Sequence, residues 1–270
     1  MRSSDRRGIP LRAVVPNAVT ALALCSGLTG IRFAIAGQWG LAVGAIMVAA
    51  VLDGMDGRIA RMLNGASRFG AELDSLSDNV AFGVSPAIIM YLWSLQHTPR
   101  DFPRIGWLFA LAYSVCMALR LARFNAQIDA EDQPHKSAGF LTGVPAPAGA
   151  ALMLLPVVLW LASGRHWTWL NDWRLVAPWS AAVAFLAISS LATFSWTSFR
   201  LRRNVRLEAI FVIALVGGAL FTAPWETLSV ATILYALTIP LSVLSYARVK
   251  RQRAAGSWRK PERSAPPAAP

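Results

Sequence analysis

The chain has 270 residues, 55% of them hydrophobic and only 15% charged, with a formal net charge of +12. A water-soluble domain carries about a quarter charged residues, so this composition excludes an ordinary soluble globule and points to a bilayer. The basic residues gather at the ends of apolar runs rather than along one groove-sized face, which argues against nucleic acid as a partner and for attraction to anionic lipid headgroups.

Eight apolar stretches recur at close to membrane-spanning length, at residues 14–36, 38–56, 74–95, 105–124, 144–163, 175–197, 207–223 and 228–247. The predicted fold is all-α, a polytopic membrane protein. A basic interfacial segment occupies 1–13, the transmembrane body 14–247, and a basic tail 248–270 that lacks apolar periodicity and reads as disordered. With the N-terminus in the cytoplasm, 21 Lys and Arg residues fall inside and only Arg32, Arg100, Arg104, Arg165 and Arg174 outside. That positive-inside bias puts both termini on the cytoplasmic side. Cys25 and Cys116 lie within spans and suggest packing, not a disulfide framework. Arg6, Arg7 and Arg12 ahead of an apolar run imitate a secretory signal, but cleavage after Ala36 would remove the first helix and upset the charge alternation.

The first stretch opens at Pro16-Asn17, a position suited to a helix start, and carries Asn17 and Thr20 near its cytoplasmic end. The second delivers Asp53 and Asp56 to that same side. Eight residues on, about 12 Å along a helix, Arg61 reaches water. Asn64-Gly65 turns the chain. Ser67 then stands where a helix cap would, and the third stretch brings Asp74 and Asp78, with Gly83 and Pro86 expected to bend or loosen it.

Four aspartates beside lipid are expensive, each at least ~2.5 to 3.5 kcal/mol at mid-depth. Asp53 and Asp56 are three apart, Asp74 and Asp78 four apart, so each pair shares a helix face. Two facing helices would offer Asp53, Asp56, Asp74 and Asp78 to one point, the hard oxygen ligation that Mg²⁺ or Mn²⁺ prefers. Gly57 and Ala60 leave room on the first face, Gly70 on the second, and Arg61 can grip a phosphate.

The fourth stretch ends in ALRLARFN, where Arg120 and Arg123 share a face near the aspartates. They read either as a positive-inside anchor pair or as receivers of an anion. The segment 126–142 that follows is long enough to act as a lid, and FLTGVPAPAG leads into the fifth stretch. The last three stretches hold few polar groups and read as scaffold or dimer surface.

Read as one string, residues 53–78 give D-x-x-D-G-x-x-A-R-x8-G-x3-D-x3-D, which resembles the signature of the CDP-alcohol phosphatidyltransferase family at every specified position. The SRFGAELDSLSD run with FGVSPA, ALRLARFN and GVPAPAG is similar to the membrane-integral phosphatidylserine synthase branch over about residues 15–155, departing only at Val144, where that branch would have Leu. No histidine has Lys two residues on, so the other, phosphodiesterase-type mechanism is excluded.

The resemblance implies a six-helix core plus two helices, a homodimer and two divalent ions, Mg²⁺ or Mn²⁺. It implies transfer of the phosphatidyl group of CDP-diacylglycerol to L-serine with release of CMP, and Asp78 as the base. By the same resemblance Asn17 and Thr20 hold the CDP moiety, and Ser67 contacts the CDP-lipid rather than only capping its helix. Arg120, Arg123 and Asn125 would form the acceptor pocket, because the carboxylate of serine wants an arginine. Two rival readings remain at this stage. One keeps the chemistry with glycerol 3-phosphate, inositol phosphate or choline as acceptor. The other is a divalent-cation transporter, which would want polar groups near mid-membrane and related halves.

Overall fold

The computed structural model describes residues 11–63, 65, 67–99, 104–128, 140–142, 144–189, 192–194 and 206–257. It is a bundle of helices: α1 (Leu11–Ile35), α2 (Trp39–Met62), α3 (Arg68–Asp78), α4 (Ser85–Trp93), α5 (Ile105–Ile128), α6 (Ala146–Ala162), α7 (Trp173–Ile188), α8 (Arg206–Thr222) and α9 (Pro224–Ser257). Among the described residues α1 from Val14, α2 and α5 are long and apolar enough to cross a membrane, and α6 and α7 are shorter apolar helices. Large apolar side chains such as Phe185 and Phe221 stand exposed on the bundle's outside, as expected where the solvent is lipid.

α1 and α2 form a tight hairpin. Gly37 takes φ +69°, a left-handed turn that glycine adopts without penalty, and the Gly37 and Gln38 amides close onto the Ala34 and Phe33 carbonyls at 3.0 and 2.9 Å. That arrangement satisfies the carbonyls a helix end leaves open.

From Arg68 to Trp93 the chain is one rod, with a π-turn at Asn79–Val84 joining α3 to α4. The loosening expected at Gly83 and Pro86 is this turn. Pro86 has no N–H to give to the carbonyl four residues back, and the buried Tyr113 hydroxyl of α5 donates to that carbonyl, Phe82 O, at 2.9 Å. Pro156 in α6 creates the same vacancy at Leu152, filled by the Trp179 indole of α7 at 2.9 Å. Each proline thus fixes a neighbouring helix by the donor it removes. The core lies between α4, α5, α6 and α7, where Ile89, Met90, Tyr113, Met117, Met153 and Val183 are buried.

The all-α architecture expected is the one observed, with one short ribbon added: β1 (Phe140–Thr142) pairs antiparallel with β2 (Ala192–Phe194), Phe140 opposite Phe194. Two expectations change. The sixth stretch ends at Ile188 rather than 197, because Ser189 turns to an extended conformation (φ −62°, ψ 149°) and the chain beyond it is used as a strand. The basic tail expected to be disordered from Arg248 begins as helix, since α9 runs on to Ser257. Of the interfacial segment only Leu11–Ala13 is described, already inside α1. The central part of the expected lid, residues 129–139, lies outside the described residues.

Candidate functional site

α2 and α3 present their acidic faces to each other at one end of the bundle. One carboxylate oxygen from each of Asp53, Asp56 and Asp74 lies within 4.8 Å of the others. Asp56 is only 6% exposed. Asp78 is not in this trio but lies within side-chain hydrogen-bonding reach of Asp53. The structure therefore brings all four aspartates to one place, three as a compact cluster and the fourth beside it.

Unit charges this close repel by about 3.5 kcal/mol per pair at an effective dielectric of ~20. Nearby protein groups offset little of that. Thr20 Oγ1 of α1 donates to Asp56 Oδ2 at 2.6 Å, which fills one acceptor position and adds no positive charge. Carboxylate oxygens from two helices, partly withdrawn from water and with no ion pair to a cation among the described residues, fit a hard divalent ion.

Next to the cluster is a cleft of about 160 Å³ lined by Pro16, Asn17, Thr20, Asp56, Gly57, Ala60, Gly65, Ser67, Gly70, Ala71 and Asp74. Six of the seven residues assigned to the CDP-lipid side line it: Asn17, Thr20, Gly57, Ala60, Ser67 and Gly70. Arg61 does not, standing exposed on the last turn of α2. Ser67 has both attributes that the sequence left open, since it lines the cleft and its hydroxyl caps α3 by accepting from the Gly70 amide at 3.0 Å. Gly70 leaves room for the Asn17 side chain, which a larger residue would have to displace. A Cβ there would lie 2.8 Å from Asn17 Oδ1.

On the other side of α3 a second, larger cavity of about 350 Å³ is lined by Asp74, Asp78 and Asn125, with Arg68, Glu72, Ser75 and Phe124 among the rest. Asp74 and Ala71 line both cavities, while Asp56 lines only the first and Asp78 only the second. The three acceptor candidates separate here. Asn125 lines the second cavity and donates to Ser75 Oγ at 2.9 Å. Arg120 stands in the electrostatic field of Asp78. Arg123 turns away and donates to Ser189 O at the end of α7, 3.2 Å. It ties two helices together.

Three features were not found from sequence. The bond from Thr20 to Asp56 joins residues 36 apart, and nothing local announces it. The Tyr113 bond that secures the π-turn directly after Asp78 is equally long-range. Ser77, buried beside Asp78, donates to Thr20 O at 3.1 Å and so links α1 to α3. Its place between two of the motif's aspartates was the available signal.

Bundle and site together define a helical protein, with helices long and apolar enough to cross a membrane among the described residues, and a carboxylate cluster beside two cavities at one end. The chain belongs to the CDP-alcohol phosphatidyltransferase family, whose pattern residues 13–188 match. Residues 204–240 match a second pattern, CDP-alcohol phosphatidyltransferase 2. A CDP-diacylglycerol–serine O-phosphatidyltransferase of Mycobacterium tuberculosis is 39% identical over 89% of this chain and 81% of its own length. Proteins of the same name are 38% identical in Mycobacterium leprae, over 90% and 78% of the two chains, and 33% identical in Helicobacter pylori, over 82% and 86%.

Proposed function

We propose that this phosphatidyltransferase moves the phosphatidyl group of CDP-diacylglycerol to the hydroxyl of L-serine, forming phosphatidylserine and CMP. The observation that carries the acceptor is the shared activity of relatives aligned over more than four fifths of the chain. Asp74, shared by the two cavities, agrees with it, since one side suits the nucleotide and the other the alcohol.

In this reading Asn17, Thr20, Gly57, Ala60, Ser67 and Gly70 seat the CDP-lipid head in the smaller cleft, and Arg61 grips a phosphate oxygen at its mouth. Two Mg²⁺ or Mn²⁺ ions, held by Asp53, Asp56, Asp74 and Asp78, would neutralise charge on the diphosphate and on the departing CMP. Asp78 takes the proton of the serine hydroxyl as general base. The serine oxygen bonds to the lipid-bearing phosphorus, the bond from that phosphorus to the CMP oxygen breaks, and CMP leaves. Arg120 and Asn125 receive the acceptor on the far side of Asp78, with Arg123 fixing the helix that carries them.

All eight helical rods cross the membrane, with α3 and α4 as one. The termini and the site lie on the cytoplasmic side, where CDP and serine are dissolved, and the acyl chains stay in lipid. The positive-inside count supports this orientation, and anionic headgroups attract the basic ends. Two copies form the working unit.

Purified protein incubated with CDP-diacylglycerol, Mn²⁺ or Mg²⁺ and L-serine should release CMP in proportion to phosphatidylserine formed. Phosphatidylglycerophosphate as the main product when glycerol 3-phosphate is also offered would overturn the serine assignment. Asp78→Asn should still bind CDP-diacylglycerol and lose nearly all turnover; retained turnover removes Asp78 from the base role.

A further inference from the structure

Two opposite charges line the larger cavity and are left apart by the protein. Arg68 and Glu72 stand four residues apart on α3, a spacing that puts both side chains on one helix face, and both line the cavity with Ser75, Asp78 and Asn125. Among the described residues neither side chain makes an ion pair or a hydrogen bond. Glu72 also stands outside the carboxylate trio of Asp53, Asp56 and Asp74. A solvated helix face accounts for one exposed charge. It does not require that two of opposite sign share a cavity with Asp78 and stay unpaired.

The cavity's two walls are tied to each other. Asn125 Nδ2 on α5 donates to Ser75 Oγ on α3 at 2.9 Å, one turn beyond Glu72, so the gap between the helices is held where a ligand would lie. At about 1.5 Å of rise per residue, Glu72 stands about 9 Å and Arg68 about 15 Å from Asp78 along the axis. A hydroxy amino acid has the complementary layout. Its hydroxyl is at one end and both of its charges are at the other. With the hydroxyl at Asp78, the ammonium and carboxylate lie back along α3, towards Glu72 and Arg68.

We propose that Glu72 and Arg68 are the specificity residues of the acceptor cavity, Glu72 receiving the ammonium of serine and Arg68 its carboxylate. A guanidinium fork meets a carboxylate through two parallel bonds, and a free carboxylate is the matching acceptor for an ammonium. Glu72 also works against the wrong alcohol. An acceptor that carries only negative charge, such as glycerol 3-phosphate, meets a like charge there, a repulsive element of specificity. The inference rests on the serine reading above and passes the carboxylate contact from Arg120 to Arg68, since Arg120 is not among the residues that line the cavity.

The test uses the full-length protein with CDP-diacylglycerol and Mn²⁺, following CMP release against L-serine concentration. Ethanolamine, which lacks the carboxylate, and 3-hydroxypropanoate, which lacks the ammonium, serve as competing ligands. Glu72→Gln and Arg68→Gln should each raise KM for serine about three- to tenfold, the loss of a charge-assisted bond at a site open to water. Glu72→Gln should weaken inhibition by ethanolamine and not by 3-hydroxypropanoate, and Arg68→Gln the reverse. In both variants kcat at saturating serine, KM for CDP-diacylglycerol and the Mn²⁺ titration should hold within about twofold. An unchanged serine KM in either variant overturns the proposal, as does an equal loss with all three ligands. A shifted Mn²⁺ titration in Glu72→Gln overturns it too, because Glu72 then belongs to the metal centre. So does wild-type protein that neither compound inhibits at about a hundredfold the serine KM, given that each keeps one half of the recognition. Wild-type protein that releases no CMP on addition of serine fails at the earlier step, and the serine assignment falls with this inference.

Discussion

The Thr20 hydroxyl sits between two acceptors, the Pro16 carbonyl at 3.2 Å and the Asp56 carboxylate at 2.6 Å, while its own carbonyl receives Ser77. The shorter contact is the charge-assisted one, so this side chain orients a carboxylate of the cluster from a third helix. Outer partners of this type typically change metal affinity 10–100-fold when removed. Thr20→Val keeps the shape and deletes the donor. It should raise the Mn²⁺ concentration for half-maximal CMP release by about that factor, with most of the rate recovered at saturating Mn²⁺. An unchanged Mn²⁺ titration would leave Thr20 to the CDP-lipid alone. Gly70→Ala acts on the neighbouring function. Its Cβ would meet Asn17 Oδ1 at 2.8 Å, so KM for CDP-diacylglycerol should rise several-fold while the Mn²⁺ titration holds. At this scale the sequence was informative about which residues meet and less so about what each touches. Spacings of three and four set the aspartates on common faces, but a contact from α1 to Asp56 depends on how helices cross.

The π-turn at Asn79–Val84 belongs to the scale of elements. It follows Asp78 directly, and extra-wide turns of this kind often mark functional sites in helices. Two helices hold it. Gly27 of α1 packs so closely that a Cβ there would come within 2.7 Å of Ala81 Cα, and Tyr113 of α5 occupies the carbonyl that Pro86 leaves free. Tyr113→Phe strands that buried carbonyl, a loss of about 1–3 kcal/mol. Thermal denaturation in detergent should show a lower Tm than wild type, and turnover should fall with it as Asp78 loses its fixed direction. Equal Tm and turnover would mean that the turn is held by packing alone. Hydropathy marked the helical stretches well, because apolar runs of span length are decided locally. It could not mark the β1–β2 ribbon or the end of α7 at Ile188. Those depend on two distant three-residue segments finding each other, and each alone is too short to carry a pattern.

Across the whole molecule the two ends of the bundle differ in chemistry. The aspartates, Arg120, Asn125 and the Arg123–Ser189 tie occupy one end. At the other, the Trp225 ring packs over Gly40, Asn171 donates to Trp93 O at 2.8 Å and Ser94 to Asn171 O at 2.7 Å, and Trp167 and Trp169 stand exposed side by side. Tryptophan concentrates at both membrane–water interfaces, so the exposed pair marks a headgroup layer at this end without saying which side of the membrane it is. The proposed sidedness, acidic end towards the cytoplasm, rests on counting Lys and Arg. In a variant with Cys25 and Cys116 replaced by serine, Arg165→Cys at the α6–α7 turn and Arg58→Cys on α2 should react with a membrane-impermeant thiol reagent from opposite faces of intact cells, Arg165→Cys from outside and Arg58→Cys only after permeabilisation. Labelling of both from outside would reverse the orientation. Under the proposed function the carboxylates would then face away from the cytosolic CDP-lipid head, so the proposed topology and the proposed substrate site stand on the same measurement.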